Sequence, residues 1–149
     1  MSLTNIFNIA GSGMTAQSIR LNTVASNIAN AESVSSSMDT TYRARQPLFA
    51  MMQEQVMAGM PGAGSAVTGA GAGVGVQVTG IVESDAPLRK QFEPNHPMAN
   101  DEGYVFYPNV NVVEEMTNMI SASRSFQTNA DLMGTAKDMM KRVLQLGQG

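Results

Sequence analysis

The sequence predicts an α+β fold: long N- and C-terminal helices pair as a coiled-coil-like core domain, with a small β-hairpin unit and a Gly-rich loop between them. Three observations predict it. Apolar and small residues recur in alternating steps of three and four toward both ends, the signature of a helical seam. The middle is punctuated by Gly and Pro and holds runs that alternate with period two, the strand period. Charged residues make up only 14% of the chain, against about 25% in ordinary soluble domains. Asn, Ser, Thr and Gln stand where the charges would be. The 149 residues fit one domain with helical arms, divided as residues 1–31, 32–111 and 112–149.

The first helix is predicted from Thr4 to Ala31. Its seam runs Phe7, Ala10, Met14, Leu21, Val24, Ile28 and Ala31, with Gln17 as the polar exception, while Gly11 and Gly13 weaken the early turns. Thr41 to Met60 reads as a short extended piece followed by a helical turn. Pro61 to Gly73 is low-complexity and reads as a flexible loop. Val74, Val76 and Val78 alternate as a strand over Val74–Val82, and Leu88, Lys90 and Phe92 as a second. Pro94–Gly103 is a turn-rich connection, and Tyr104–Tyr107 is a third short strand.

The last helix is predicted from Val112 to Leu146. Pro108 and Asn109 are its start signals, and Glu114 and Glu115 occupy early turns where the helix dipole favours acids. Its seam reads Val112, Met116, Met119, Ser123, Phe126, Ala130, Met133, Lys137, Met140 and Leu144. Lys141 and Arg142 suit the opposite pole, and Gly147 is the stop signal.

Several function classes fall away on composition. A net charge of −3 with no Lys/Arg cluster offers no electrostatic footprint for nucleic acid. No apolar run approaches the roughly 20 residues of a membrane span, so no membrane insertion is expected. The first ten residues lack a basic region and a continuous apolar stretch, so no cleaved secretory signal is expected. With no cysteine, there is neither a disulfide framework nor a thiolate site.

Catalytic signals are equally thin. Gly64–Gly69 has P-loop spacing, but Ala70 stands where the lysine must be. His96, the single histidine, lies between Asn95 and Pro97 with no second metal ligand or nucleophile nearby, and reads as a turn residue. Glu114 and Glu115 would point about 100° apart on a helix and share no site. The chain is therefore not read as an enzyme, and no cofactor is expected.

The helical ends are read instead as suited either to assembly or to an ordinary helical hairpin docked on its own β unit. From Met1 to Ala31 the single charged side chain is Arg20, and the face opposite the seam carries Asn5, Asn8, Ser12, Thr15, Ser18, Asn22, Ser26 and Asn27. A helix that merely meets water usually carries paired Glu and Lys there. Uncharged polar faces allow close helix contacts at lower desolvation cost than charges. Ala10, Gln17, Ala31, Ser123 and Ala130 also make weak seams for a two-stranded coil, sensible when many copies contact every face. The candidate assembly interface is Phe7, Met14, Leu21, Val24 and Ile28 on the first helix. On the last helix it is Met116, Met119, Phe126, Met133, Met140 and Leu144. The alternative is a helical adaptor or chaperone-like binding module using a Met-rich face.

Three blocks carry a family resemblance. The first is Ser12-Gly-Met-Thr-Ala-Gln17 through Leu21-Asn-Thr-Val-Ala-Ser-Asn-Ile-Ala-Asn30, a helix ending in SN-x-AN. The second is Glu93-Pro-Asn-His-Pro-Met-Ala-Asn100 with Gly103-Tyr-Val and Tyr107-Pro-Asn-Val. The third is Val112-Val-Glu-Glu-Met116 with Met119-Ile-Ser-Ala-Ser-Arg-Ser-Phe-Gln-Thr-Asn-Ala130. Together they resemble the flagellar rod and hook family of axial proteins, and the second block resembles its proximal-rod type. Many rod and hook members follow the first helix with T-P-G-Y. Here Val34–Asp39 intervenes before Thr41-Tyr42-Arg43, which agrees with the proximal-rod type. The Pro61–Gly73 insert carries no part of this resemblance, and no role is assigned to it.

The resemblance implies terminal helices stacked helically around a narrow channel, with the β unit outside. It implies a structural subunit of the basal body's proximal rod, which spans the periplasm and transmits torque. Implied partners are other rod proteins, the base-of-rod adaptor, further copies of the chain and the flagellar type III export apparatus.

Overall fold

The computed structural model describes residues 3–52 and 75–147. The expected Gly-rich loop at Pro61–Gly73, the helical turn expected before Met60, and Met57 and Met60 themselves lie outside the described residues. The elements run α1 (Leu3–Ala29), β1 (Arg45–Met52), β2 (Gly75–Glu83), β3 (Arg89–Phe92), β4 (Tyr104–Tyr107) and α2 (Val112–Leu146). The α+β class with two long paired terminal helices is what the sequence predicts.

The helices lie antiparallel. A Cβ built on Gly11 would sit 3.9 Å from Met133 Cε, and one on Gly13 would sit 2.9 Å from Asn129 Nδ2. Further along α1, Arg20 donates to Asn118 Oδ1 at 3.1 Å, and Asn27 donates to Glu115 at 3.0 Å. The missing side chains at Gly11 and Gly13 therefore admit α2 residues; their helix-weakening effect is offset by close approach. At 1.5 Å per residue α2 is about 50 Å long and α1 about 40 Å.

The start of α2 refines the expectation. The N-cap of α2 is Asn111, whose side chain accepts from the Val113 amide, the usual way an orphan donor is satisfied. Asn109 does other work: its Oδ1 accepts from Ala44 N at 2.8 Å, and its Nδ2 donates to Ser84 O and Ala86 O. It ties the approach to α2 onto the ends of both β1 and β2. At the far end Gly147 is the C-cap, as expected, with φ −84° and its amide donating to Val143 O.

The middle is two antiparallel ribbons, not the single hairpin unit expected. In one, β1 pairs with β2 from Arg45↔Glu83 to Met52↔Gly75, with a bulge between Leu48 and Phe49. In the other, β3 pairs with β4 from Arg89↔Tyr107 to Phe92↔Tyr104. Two-stranded ribbons need packing to persist. The first lies against α1, where Ser12 Oγ accepts from the Val76 amide at 3.1 Å. Gly75 has φ +145°, and a Cβ there would run into Ser12 Oγ, so a side chain is excluded on two grounds. The second ribbon is held by Lys90 Nζ, 3.8 Å from the Tyr104 ring, and by bridging to Ser35 through Phe106. Val105 is fully buried, and Ala31, Ala44 and Val110 form a small core cluster against Tyr42.

Candidate assembly interface

The described surface is unusual in what it leaves out. Met116, Ile120, Val113, Leu132, Met139, Val143, Leu144 and Leu146 on α2 are all large apolar side chains that stand exposed. Leu48, Phe49, Met51, Met52 and Ile81 on the first ribbon are exposed as well. Scattered apolar side chains on a surface are ordinary, whereas runs along one element mark contact surfaces.

The sequence-predicted interface residues divide into groups. Val24 is buried at 4% exposure in the α1–α2 contact, and Phe7, Met14, Leu21 and Ile28 are half-buried. On α2, Met119, Phe126, Met133 and Met140 are half-buried, seven residues apart along one line. Met116 and Leu144 are 55% and 61% exposed. The seam that α2 presents to α1 thus runs through Glu115, Met119, Ala122, Phe126, Asn129, Met133, Ala136 and Met140. Four positions of the expected seam are displaced by one residue: Met116, Ser123, Ala130 and Lys137 give way to their predecessors. Ala122 and Ala136 are 0% and 4% exposed, and their small side chains let the backbones close. Leu144 lies beyond the start of α1, with no helix opposite.

Sequence reasoning missed the polar centre of this contact. Asn27 is fully buried. Its Nδ2 donates to Arg45 O at 2.8 Å and to Glu115 Oε2 at 3.0 Å. Its Oδ1 accepts from Tyr42 Oη and from Arg45 N, each at 2.9 Å. Every hydrogen-bonding position of the amide is filled. Glu115, 7% exposed, is therefore more than a dipole-complementing acid of the first turn. The SN-x-AN segment gains a physical account: Asn27 joins α1 to β1 and α2, Ser26 Oγ lies 3.3 Å from Tyr42 Oη, and Asn30 Nδ2 donates to Ser26 O to close the helix end. The sequence places Asn27 on the polar face opposite the seam; the structure turns it inward, because only there do Tyr42, Arg45 and Glu115 fill its amide.

A groove of about 380 Å³ opens beside this centre, floored by Arg20 and Val24 and walled by Pro47, Phe49, Glu114 and Asn118. Its lining offers no nucleophile beside a base. Among the described residues no group of three or more His, Asp and Glu converges on a metal position. His96 Nδ1 accepts from the Met98 amide at 3.1 Å, so it closes the turn in which it was placed. Away from the helices, Tyr107 Oη donates to Glu93 Oε1 at 3.2 Å. Desolvation, reinforced by the Glu93 carboxylate, holds that phenol above its ordinary range.

Comparison with known proteins adds the remaining finding. Residues 7–34 match the family described as "Flagella basal body rod protein", and residues 101–146 match "Flagellar basal body rod FlgEFG protein C-terminal". The chain is 47% identical over 148 residues to the "Flagellar basal-body rod protein FlgC" of Escherichia coli O6:H1, covering 99% of this chain and 100% of that one. It is 46% identical to the protein of the same name from Salmonella typhimurium over the same shares. With that of Borreliella burgdorferi it shares 34% identity over the full length of both.

Proposed function

The chain belongs to the flagellar basal-body rod protein family and is a structural subunit of that rod; from this premise we propose that it builds the proximal segment. In that reading copies stack helically, α1 and α2 form the wall around the export channel, and the ribbons lie outside. The stack crosses the periplasm and carries motor torque toward the hook. The proposed partners are neighbouring copies, other rod proteins and the base-of-rod adaptor. Delivery through the flagellar type III apparatus, without a cleaved signal, completes the reading.

The observation that carries it is the likeness to rod proteins over 99% of the chain at 47% identity. The weakly charged outer face of α1 and the exposed apolar side chains on α2 support it, because both suit contact with further subunits. The test is to delete the gene and isolate basal bodies. The expected result is a non-motile strain whose basal bodies lack the rod, restored by the full chain. Intact rods in the deletion strain would defeat the proposal.

A further inference from the structure

Helix α2 offers two overlapping stripes to α1. Both contain Met119, Phe126, Met133 and Met140. The one that the fold buries is completed by Glu115, Ala122, Asn129 and Ala136; the other would be completed by Met116, Ser123, Ala130 and Lys137. At about 100° per residue the two settings differ by a rotation of about 50°. Toward the C-terminus the observed setting is the better one, since Ala136 is buried and Lys137 stays in water. Toward the N-terminus apolar burial favours the other, because it would exchange a carboxylate for the thioether of Met116, now 55% exposed.

Something must therefore hold the first turns of α2 against their own hydrophobicity. We propose that the Asn27–Glu115 hydrogen bond is a rotational selector: it fixes which face of the N-terminal half of α2 turns inward, and so keeps Met116 on the surface of the subunit. The geometry supplies the means. Asn27 is held rigidly, with its Oδ1 engaged by Tyr42 Oη and Arg45 N and one Nδ2 proton by Arg45 O. The remaining proton points at Glu115 Oε2. Rotating α2 would leave a buried amide proton without its acceptor, a loss that a fully enclosed group does not recover from water. A single buried polar pair is known to select one helix arrangement over apolar competitors at the expense of stability.

The chain has no cysteine, so single substitutions Met116→Cys and Ala122→Cys report accessibility cleanly in the full-length protein. Thiol labelling should be fast at position 116 and slow at position 122; equal rates would overturn the proposal at once. In the background of Asn27→Val with Glu115→Leu the order should invert, with position 116 protected and position 122 reactive. In Glu115→Gln, which keeps an acceptor for Asn27 Nδ2, the original order should persist. Retention of the original order in the double apolar background would overturn the proposal. So would loss of protection at both positions there, which would make the pair a stabiliser and not a selector. Inversion by Glu115→Gln alone would overturn the hydrogen bond as its basis.

Discussion

At the scale of single residues, the informative positions are polar ones in places where apolar residues are expected. A seam read by hydrophobicity passes over Glu115 and takes Met116, because nothing in the residue type of Glu says that an amide with one free proton lies across from it. Asn27 was legible as part of a motif, but its role was not, since its partners at Tyr42, Arg45 and Glu115 are distant in sequence. Replacing it with Ala strips four hydrogen bonds and leaves the buried Glu115 carboxylate and the part-buried Arg45 backbone groups without these partners. About 3 kcal/mol of unfolding free energy should be lost, given roughly 1–3 kcal/mol for each buried group left unsatisfied; denaturant melts of the purified chain would show it. His96→Ala should be nearly silent by contrast. Its one hydrogen bond, to the Met98 amide in an exposed turn, is worth about 0.5–1.5 kcal/mol. A strain carrying it should swim normally, and a non-motile strain with normal amounts of stable protein would reopen the case for a chemical role.

At the scale of elements, both helices were legible to within two residues at each end, and α2 is bounded as its periodicity predicts. The strands at Gly75–Glu83, Arg89–Phe92 and Tyr104–Tyr107 were legible too, because alternation is a local signal. What pairs with what was not. β1 pairs with β2 across a separation that no turn motif reports, so two ribbons stand where one hairpin unit was expected. The weak seam has a consequence for order along the helices. Its polar anchors cluster where α1 ends and α2 begins: Arg20 to Asn118 and Asn27 to Glu115. The opposite end is joined by Ala, Gly and Met contacts, and α2 outlasts α1 there, leaving Val143, Leu144 and Leu146 exposed. Since long helices draw most of their stability from packing, amide exchange in the free chain should be slowest over residues 20–31 and 112–122. It should be fastest over 139–147. Uniform protection along α2 would refute this gradient.

At the scale of the whole molecule, the question is which faces serve the fold and which serve the assembly, and the sequence alone merged the two. Leu21 and Ile28 were grouped with Met116 and Leu144 as one interface. The first pair is half-buried within the subunit, and the second pair is on its surface. A charge placed at each should therefore fail differently. Leu21→Asp puts a carboxylate without a partner into the helix contact, at an expected cost of several kcal/mol, so the subunit itself should be destabilised and its denaturant midpoint should fall. Met116→Asp changes a side chain that faces water in the free subunit. Its melt should stay within about 0.5 kcal/mol of the unchanged chain, as exposed substitutions usually do. In a rod wall the same carboxylate would be pressed against a neighbour's apolar surface, so cells carrying Met116→Asp should make and retain the protein yet lack complete rods and fail to swim. Normal melting with normal rods would mean that the exposed line on α2 faces solvent in the finished structure, and another face of the subunit must then supply the lateral contacts.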